Sequence, residues 1–432
     1  ERVPSVSEFE IEQCFEYIQK KAFRIAIMEK GVRADGRDID TLRPLYSEAG
    51  TLPRVHGSSI FARGETQALA TATLAPADEC MYYDNYAGGE DSKRFFLHYS
   101  FPPFSVGEAG RFGGMNRREI GHGALAERSI EPVIPSVDDF PYAMRVTSEV
   151  LESNGSSSMA TVCSGTMALL DAGVPLIRPV GAIAVGLVTE MDENDNIKEY
   201  KTLLDIIGSE DFYGDMDFKV CGTSEGVTGY QLDLKLPGIP LSILEEALVK
   251  ATDARGIVLQ KMEDTIAAPA ALSEHAPRIE STKIDPERIG ELIGPGGKNI
   301  KGIQAESGAD VNIEDDGTVH VYASKKESLD RAMEMIKQMF AEVEVGTIYT
   351  GAIVSTTNFG AFMQIMPGKD GLIHISELAE GRVEKTEDVV KKGDTVTAKC
   401  IGVDDRGRVK MSIRAAAREA KQSEAAPETA EA

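Results

Sequence analysis

Cysteine is scarce and scattered in this 432-residue sequence: five residues, at 14, 80, 163, 221 and 400, with no CxxC pair and no Cys/His cluster at zinc spacing. That pattern excludes a disulfide scaffold and a structural zinc site, and it suits a reducing, cytoplasmic location. Long apolar runs are also missing, and residues 1–20 mix acids, proline and aromatics, so neither a membrane span nor a signal peptide is expected. Positive charge is short as well. Lys and Arg number 46 against 70 Asp and Glu, a net charge of −24, which excludes coating nucleic acid by bulk attraction. Acids exceed bases over residues 1–276 and 277–344 but nearly balance them over 345–414, so any nucleic-acid contact must use local basic patches. The first residue is Glu1, as expected of a piece of a longer protein.

What is present divides into several domains. Ser7 and Glu10 form a capping box, and apolar residues at helical spacing run to Gly31, predicting one amphipathic helix packed on the domain that follows. From Arg33 to about Gln260, β-branched runs such as Ser58–Leu74, Ile183–Thr189 and Tyr230–Leu236 alternate with helical stretches such as Ser242–Arg255, an α/β or α+β pattern. Residues 264–277, rich in Ala with Pro269 and Pro277, read as a linker. Next, Asp285 caps a short helix with Pro286 at its first position, and Gly294-Pro295-Gly296-Gly297 leads into a second helix ending near Gly308. A hairpin turning at Asp316-Gly317 follows, and Ser324 with Glu327 box-caps a helix to about Phe340, giving the order β-α-α-β-β-α. Short strands, Gly and Asp turns over 345–414 predict a small closed β-barrel. The tail from Ala415 is expected to be disordered beyond a helical extension.

The densest chemistry lies at 207–219. Asp215, Asp217 and Lys219 alternate, so one strand would send them to one face while Met216 and Phe218 point the other way. Two carboxylates can hold Mg²⁺ with water completing the octahedron, and an ammonium can neutralise a transferring or leaving oxygen. The bland alternative is a solvated turn before a strand. Asn154-Gly155-Ser156-Ser157-Ser158 precedes an apolar helix, Met159 to Leu170, where hydroxyls and free N–H groups suit a phosphate. Ser-rich caps are common without any ligand, and Met159 excludes the G-x-S-x-G nucleophile elbow. Arg117, Arg118 and His122 follow the Gly-rich loop 107–114. They could bind phosphates, or form an exposed charged turn with a satisfied histidine.

In the second half, Leu292 and Asn299 rule out a P-loop at Gly294–Gly297. A G-x-x-G between helices, beside Lys298 and Lys301, fits a KH module, whose loop clamps single-stranded RNA. In the barrel, Phe359, Phe362 and His374 are candidates for stacking bases, with Lys369, Arg382 and Lys385 as phosphate partners. The two phenylalanines could equally fill the barrel core.

Six stretches occur in order: Arg33-Ala34-Asp35-Gly36-Arg37, Phe101-Pro102-Pro103-Phe104-Ser105-Val106-Gly107-Glu108, Arg117-Arg118-Glu119-Ile120-Gly121-His122-Gly123, Glu152 to Met159, Gly214 to Lys219, and Ile293 to Lys298. Over about residues 1–415 the sequence resembles bacterial-type polynucleotide phosphorylases. The resemblance implies a multidomain α+β protein. Its parts are the end of an all-helical linker (1–31), an RNase PH-like α/β catalytic domain (32–263), a linker (264–277), a type I KH domain (278–343), an OB-fold barrel of the ribosomal-protein type (344–414) and a tail (415–432). It implies polyribonucleotide nucleotidyltransferase activity, the processive and reversible phosphorolysis of single-stranded RNA from its 3′ end in mRNA degradation. Inorganic phosphate is the co-substrate and Mg²⁺ or Mn²⁺ the cofactor. By position, Ser156, Ser157 and Ser158 would hold phosphate, and Asp211 and Asp217 the metal. Asp215 and Lys219 would act on the leaving oxygen, and Arg117, Arg118 and His122 would hold the RNA end. Gly294 to Lys298, Phe359, Phe362 and His374 would bind RNA. A homotrimeric ring and proteins of RNA decay are the implied partners, with no membrane. The family carries a first RNase PH domain ahead of the linker, of which nothing is seen here. An RNA-binding scaffold with an inactive PH domain is therefore the alternative.

Overall fold

The computed structural model describes residues 6–84, 86, 88–111, 113–194, 196–340, 343–366, 369–381, 383, 385–403 and 408–424, so Arg382 and the tail 425–432 lie outside the described residues. The chain forms two units, Glu1–Pro277 and Arg278–Ala432.

In the first unit, helix α1 (Glu8–Lys30) opens on the Ser7–Glu10 capping box and closes at Gly31, whose left-handed φ of 64° favours glycine. Its early apolar residues Phe9, Phe15 and Ile18 stay exposed. The helix packs on the following domain only through its last turns, where Phe23, Ile27 and Met28 meet Ala184, Val188 and Ile206. The strands are β1 (Leu45–Ala49), β2 (Gly57–Arg63), β3 (Thr66–Pro76), β4 (Met81–Asp84), β5 (Glu90–Lys93), β6 (Phe95–Ser100), β7 (Tyr142–Glu152), β8 (Gly181–Met191), β9 (Ile197–Leu204), β10 (Met216–Gly222) and β11 (Val227–Leu234). One sheet has the order β1-β2-β3-β7-β6 and another β11-β10-β8-β9, while β4 and β5 form a separate hairpin.

The helices that follow α1 are α2 (Arg117–Ile130), α3 (Ser157–Asp171), α4 (Gly208–Tyr213) and α5 (Leu241–Thr265). Helix α3 carries only small hydroxyl residues among its apolar ones before Asp171 and is buried along almost its whole length. It packs on β2 and β3 of one sheet and on β8 of the other, which fixes its N-terminus against the strands that carry the site. Helix α5 lays Ile243, Ala247, Ala251 and Ala254 on Ile183, Val185, Met216, Phe218 and Val220. Each large side chain buried there contributes about 1.5–3 kcal/mol. Because Met216, Phe218 and Val220 take that core face, strand alternation sends Asp217 and Lys219 to the other.

The second unit begins with β12 (Arg278–Lys283), α6 (Ile289–Ile293), α7 (Lys298–Ser307), β13 (Asp310–Ile313), β14 (Thr318–Ala323) and α8 (Lys326–Phe340), the expected β-α-α-β-β-α order. Its core gathers Leu292, Ile303, Val319, Val321, Met333 and Ile336. Helix α8 starts later than the Ser324–Glu327 box implies: Lys325 precedes it and its carbonyl accepts from Leu329 N–H at 3.2 Å. Strands β15 (Ile348–Thr357), β16 (Gly360–Met366), β17 (Lys369–His374), β18 (Thr395–Val403) and β19 (Val409–Ser412) close a barrel in the order β15-β16-β17-β19-β18. Helix α9 (Ile413–Glu424) follows, so the described part of the expected tail is helical.

Candidate active site

Asp217 and Lys219 are both buried and lie one strand period apart on β10, with the ammonium against Asp217 Oδ2. Asp217 Oδ1 is buried with no hydrogen-bond partner. Burial pushes the Asp217 carboxyl above the usual range; Lys219 opposes this, while Asp211 and Asp233 add to it. Asp211 reaches the same place from α4, and Asp233 from the register position directly opposite Asp217 on β11. All four line one open cleft of about 730 Å³.

Asp215 departs from the expected role. Its carboxylate accepts from both terminal nitrogens of Arg24 at 2.9 Å each, and from the N–H and hydroxyl of Thr189 at 2.8 and 2.9 Å. It precedes β10 and braces α1 against β8 rather than lining the cleft. Strand alternation alone could not reveal a partner 191 positions away.

The serine loop forms the opposite wall. Ser156 adopts φ 53° and ψ 44°, a left-handed conformation that turns the chain into α3 at Ser157. Gly155 is required beside it, because φ is 96° and a Cβ there would lie 2.7 Å from Ile206 O. Ser157 Oγ is 2.7 Å from Tyr99 Oη, whereas Ser156 Oγ and Ser158 Oγ are buried without a partner. Ser156 and Ser157 line the cleft; Ser158 lies one layer deeper, fully buried. With the first N–H groups of α3, which lack intrahelical acceptors, the loop presents the hydroxyl and N–H donors that an anion would accept.

Helix α2 supplies a third side. Arg118 and His122, four positions apart, share a helix face and both line the cleft. Arg117, one position back and so about 100° around the helix, does not, and the expected arginine pair is split. The Arg118 guanidinium sits 5.9 Å from the Phe101 ring, and His122 packs edge-on to Tyr99 at 5.3 Å. Burial, then Lys219 and Arg118, push the His122 imidazole down to about 4, so it is neutral at pH 7.

Two features of the site are not marked by any local sequence pattern. Arg33 and Glu210 form a fully buried ion pair, and Glu210 also accepts from Ile207 N–H at 2.9 Å, fixing the start of the helix that bears Asp211. Behind the serine loop, Arg43 and Arg63 share the buried carboxylate of Asp205. A charged residue closing a buried strand, as in Phe61-Ala62-Arg63, is the available signal, since it demands a partner.

A divalent cation fits this chemistry. Among the described residues no three His, Cys, Asp or Glu side chains gather closely enough to hold a metal unaided. An orphaned carboxylate oxygen beside a second carboxylate is the donor set that Mg²⁺ accepts when water and phosphate supply the remainder.

In the second unit, the Gly294–Gly297 loop takes positive φ at Gly294, Gly296 and Gly297 and projects Pro295, Gly296 and Lys298 into solvent. In the barrel, Ala361 and Met363 fill the core, so Phe362 points outward. Gly360 pairs with His374 and Phe362 with Leu372, which puts Phe362 and His374 on one outer face. Phe359 is exposed and 6.4 Å from Phe362. The core-filling alternative for these rings is thereby excluded. Lys369 is half-buried and Lys385 exposed.

Comparison with known domains gives the class. Residues 41–175 match the 3′ exoribonuclease family, domain 1; residues 279–338 match the KH domain; residues 342–414 match the S1 RNA binding domain. The chain is an RNase PH-like domain followed by two RNA-binding domains, and the expected mixed α+β architecture holds. In sequence and domain order it is similar to the C-terminal part of polyribonucleotide nucleotidyltransferases. It is 70% identical over 426 residues to that of Akkermansia muciniphila, covering 98% of this chain and 60% of the relative. Identity is 55% over 420 residues with that of Methylacidiphilum infernorum (97% and 59% covered) and 50% over 439 with that of Opitutus terrae (98% and 60%). The chain thus spans about 60% of the length of these curated relatives. Among the described residues no helix is long and apolar enough to cross a membrane.

Proposed function

We propose that this chain carries the phosphorolytic site of a polyribonucleotide nucleotidyltransferase. Inorganic phosphate attacks the phosphorus of the 3′-terminal phosphodiester of single-stranded RNA. The bond to the 3′ oxygen of the preceding nucleotide breaks, and a nucleoside diphosphate leaves with RNA one nucleotide shorter. In reverse the same site extends RNA from diphosphates. The observation that carries this reading is one cleft lined by three groups with unmet hydrogen-bonding capacity: the Ser156 hydroxyl, His122 Nδ1, and Asp217 Oδ1 beside Lys219.

The serine loop and the N-terminus of α3 bind and orient phosphate, with Ser158 supporting from behind. Lys219 offsets negative charge on the leaving 3′ oxygen. Arg118 pairs with backbone phosphates of the RNA end, and neutral His122 offers a hydrogen bond rather than a charge. Asp211 and Asp217 would hold Mg²⁺ or Mn²⁺, which when bound neutralises phosphate oxygens. The G-x-x-G loop and the outer ring face of the barrel suit single-stranded RNA, supporting a substrate read by backbone and base stacking. A trimeric ring acting in mRNA degradation belongs to the same reading.

Incubating single-stranded RNA with the chain, phosphate and Mg²⁺ tests it. Nucleoside diphosphates should form only when both are present, and Asp217→Ala should abolish them while keeping RNA affinity. Monophosphates formed without phosphate would mean a hydrolase. RNA binding without turnover would mean the scaffold alternative.

A further inference from the structure

Asp205 has no place in the chemistry above, although it sits at the junction of both walls of the cleft. It is fully buried, follows β9, and holds φ 53°, a left-handed backbone conformation uncommon outside glycine though tolerated by aspartate. Its carboxylate receives Arg43 Nη2 at 2.7 Å and Arg43 Nε at 3.0 Å, together with Arg63 Nη1. Burial alone would raise the Asp205 carboxyl, but the two guanidiniums hold it well below the usual range, so the cluster stays charged.

Each of the two arginines also donates to the serine loop, although Arg63 Nε has no partner and Arg43 further donates to Thr66 Oγ1 and Ile206 O. Arg43 Nη1 donates to Asn154 O at 2.8 Å, and Arg63 Nη2 donates to Ser156 O at 2.7 Å. Thr66 Oγ1 donates to the intervening Gly155 O at 3.1 Å and accepts from Asn154 N–H at 3.0 Å. Three consecutive carbonyls are therefore turned into the protein. This matters because a carbonyl oxygen facing the cleft would repel a phosphate, whereas successive N–H groups and hydroxyls facing it attract one. The same junction reaches the wall that carries Asp211: Asp205 O accepts from Arg33 and Arg37 at 3.0 Å each, and Gly208 N–H, at the head of α4, donates to Asn154 Oδ1 at 3.1 Å.

We propose that Arg43, Arg63 and Asp205 are positioning residues that hold the carbonyls of residues 154–156 away from the cleft and so set the affinity of the serine loop for inorganic phosphate. None of the three lines the cleft, and they act through the loop. The inference rests on reading the serine loop as the phosphate site. Asp205→Asn keeps the shape and loses the charge, and Arg43→Lys keeps the charge and loses the fork that spans carboxylate and carbonyl.

Inorganic phosphate binding is measured by calorimetry at fixed Mg²⁺ without RNA, on protein whose circular dichroism matches wild type. In parallel, KM for phosphate is compared with KM for RNA. Both variants should weaken phosphate binding by roughly tenfold or more, raise KM for phosphate to match, and leave RNA affinity within about twofold. Phosphate affinity within twofold of wild type in the folded variants overturns the proposal, and so does a wild-type chain that binds no phosphate. If Asp205→Asn does not fold, Arg43→Lys decides alone. A wild-type chain that binds phosphate yet releases no nucleoside diphosphate sinks the proposed function while leaving the calorimetric test intact; unaltered phosphate affinity in variants of an active chain does the reverse.

Discussion

Asp217 and Asp233 stand directly opposite one another on β10 and β11, two carboxylates at one register position. Like charges so placed destabilise a sheet, and burial with Asp211 nearby adds to the cost. A cation bound in the cleft, as proposed, would relieve that repulsion. Mg²⁺ at ten times its Kd should therefore stabilise the chain by about 1.4 kcal/mol. Thermal unfolding with and without Mg²⁺ checks this; Asp217→Asn should lose the response, and an equal response in that variant would remove Asp217 from the metal site.

His122 sets an acid limit on stability. Its value falls from 6.5 to about 4 on folding, chiefly by burial. Between those values the unfolded chain binds more protons, so stability drops as pH falls through that window and is fully retained above it. Allowing for partial exposure, His122→Gln should recover about 2 kcal/mol at pH 4 in urea titrations with EDTA. An unchanged acid limb would place His122 in water.

The Arg33–Glu210 pair is dry on both sides. Removing one partner leaves a buried charge alone, so Glu210→Ala should cost about 3–5 kcal/mol. Chemical denaturation would show it, and the loss should be smaller for Arg33→Met with Glu210→Leu together. A cost below 1 kcal/mol for the single change would mean the pair is solvated.

Phe359 and Phe362 lie outside the barrel core, and Met363 lies inside it. Alanine at either ring should weaken single-stranded RNA binding by about 1–3 kcal/mol with little loss of stability. Met363→Ala should do the opposite, costing about 2–5 kcal/mol of stability. Unchanged RNA affinity in both ring variants would deny the face a stacking role.

Local periodicity made much of this legible. Met216, Phe218 and Val220 declare a core face, which commits Asp217 and Lys219 to the other side, and the apolar helix after Ser158 marks its own polar N-terminus. The G-x-x-G loop and the strand and helix order around it are equally local. What sequence spacing could not supply was long-range pairing. Spacing groups Asp215 with Asp217 and Lys219, whereas the fold pairs it with Arg24. Arg117 and Arg118 looked alike until helical phase separated them, and the outward turn of Phe362 depended on which of its neighbours the barrel buried. Arg43, Arg63 and Asp205 come from three separate places in the chain and share no motif, so only the closed fold assembles them.

The most direct test supplies ³²P-labelled inorganic phosphate with Mg²⁺ and unlabelled single-stranded RNA, then resolves the nucleotide products. Attack by phosphate held at the serine loop leaves the label in the β position of nucleoside diphosphates, with none formed by Asp217→Ala. Unlabelled nucleoside monophosphates as the sole product would contradict a phosphorolytic site.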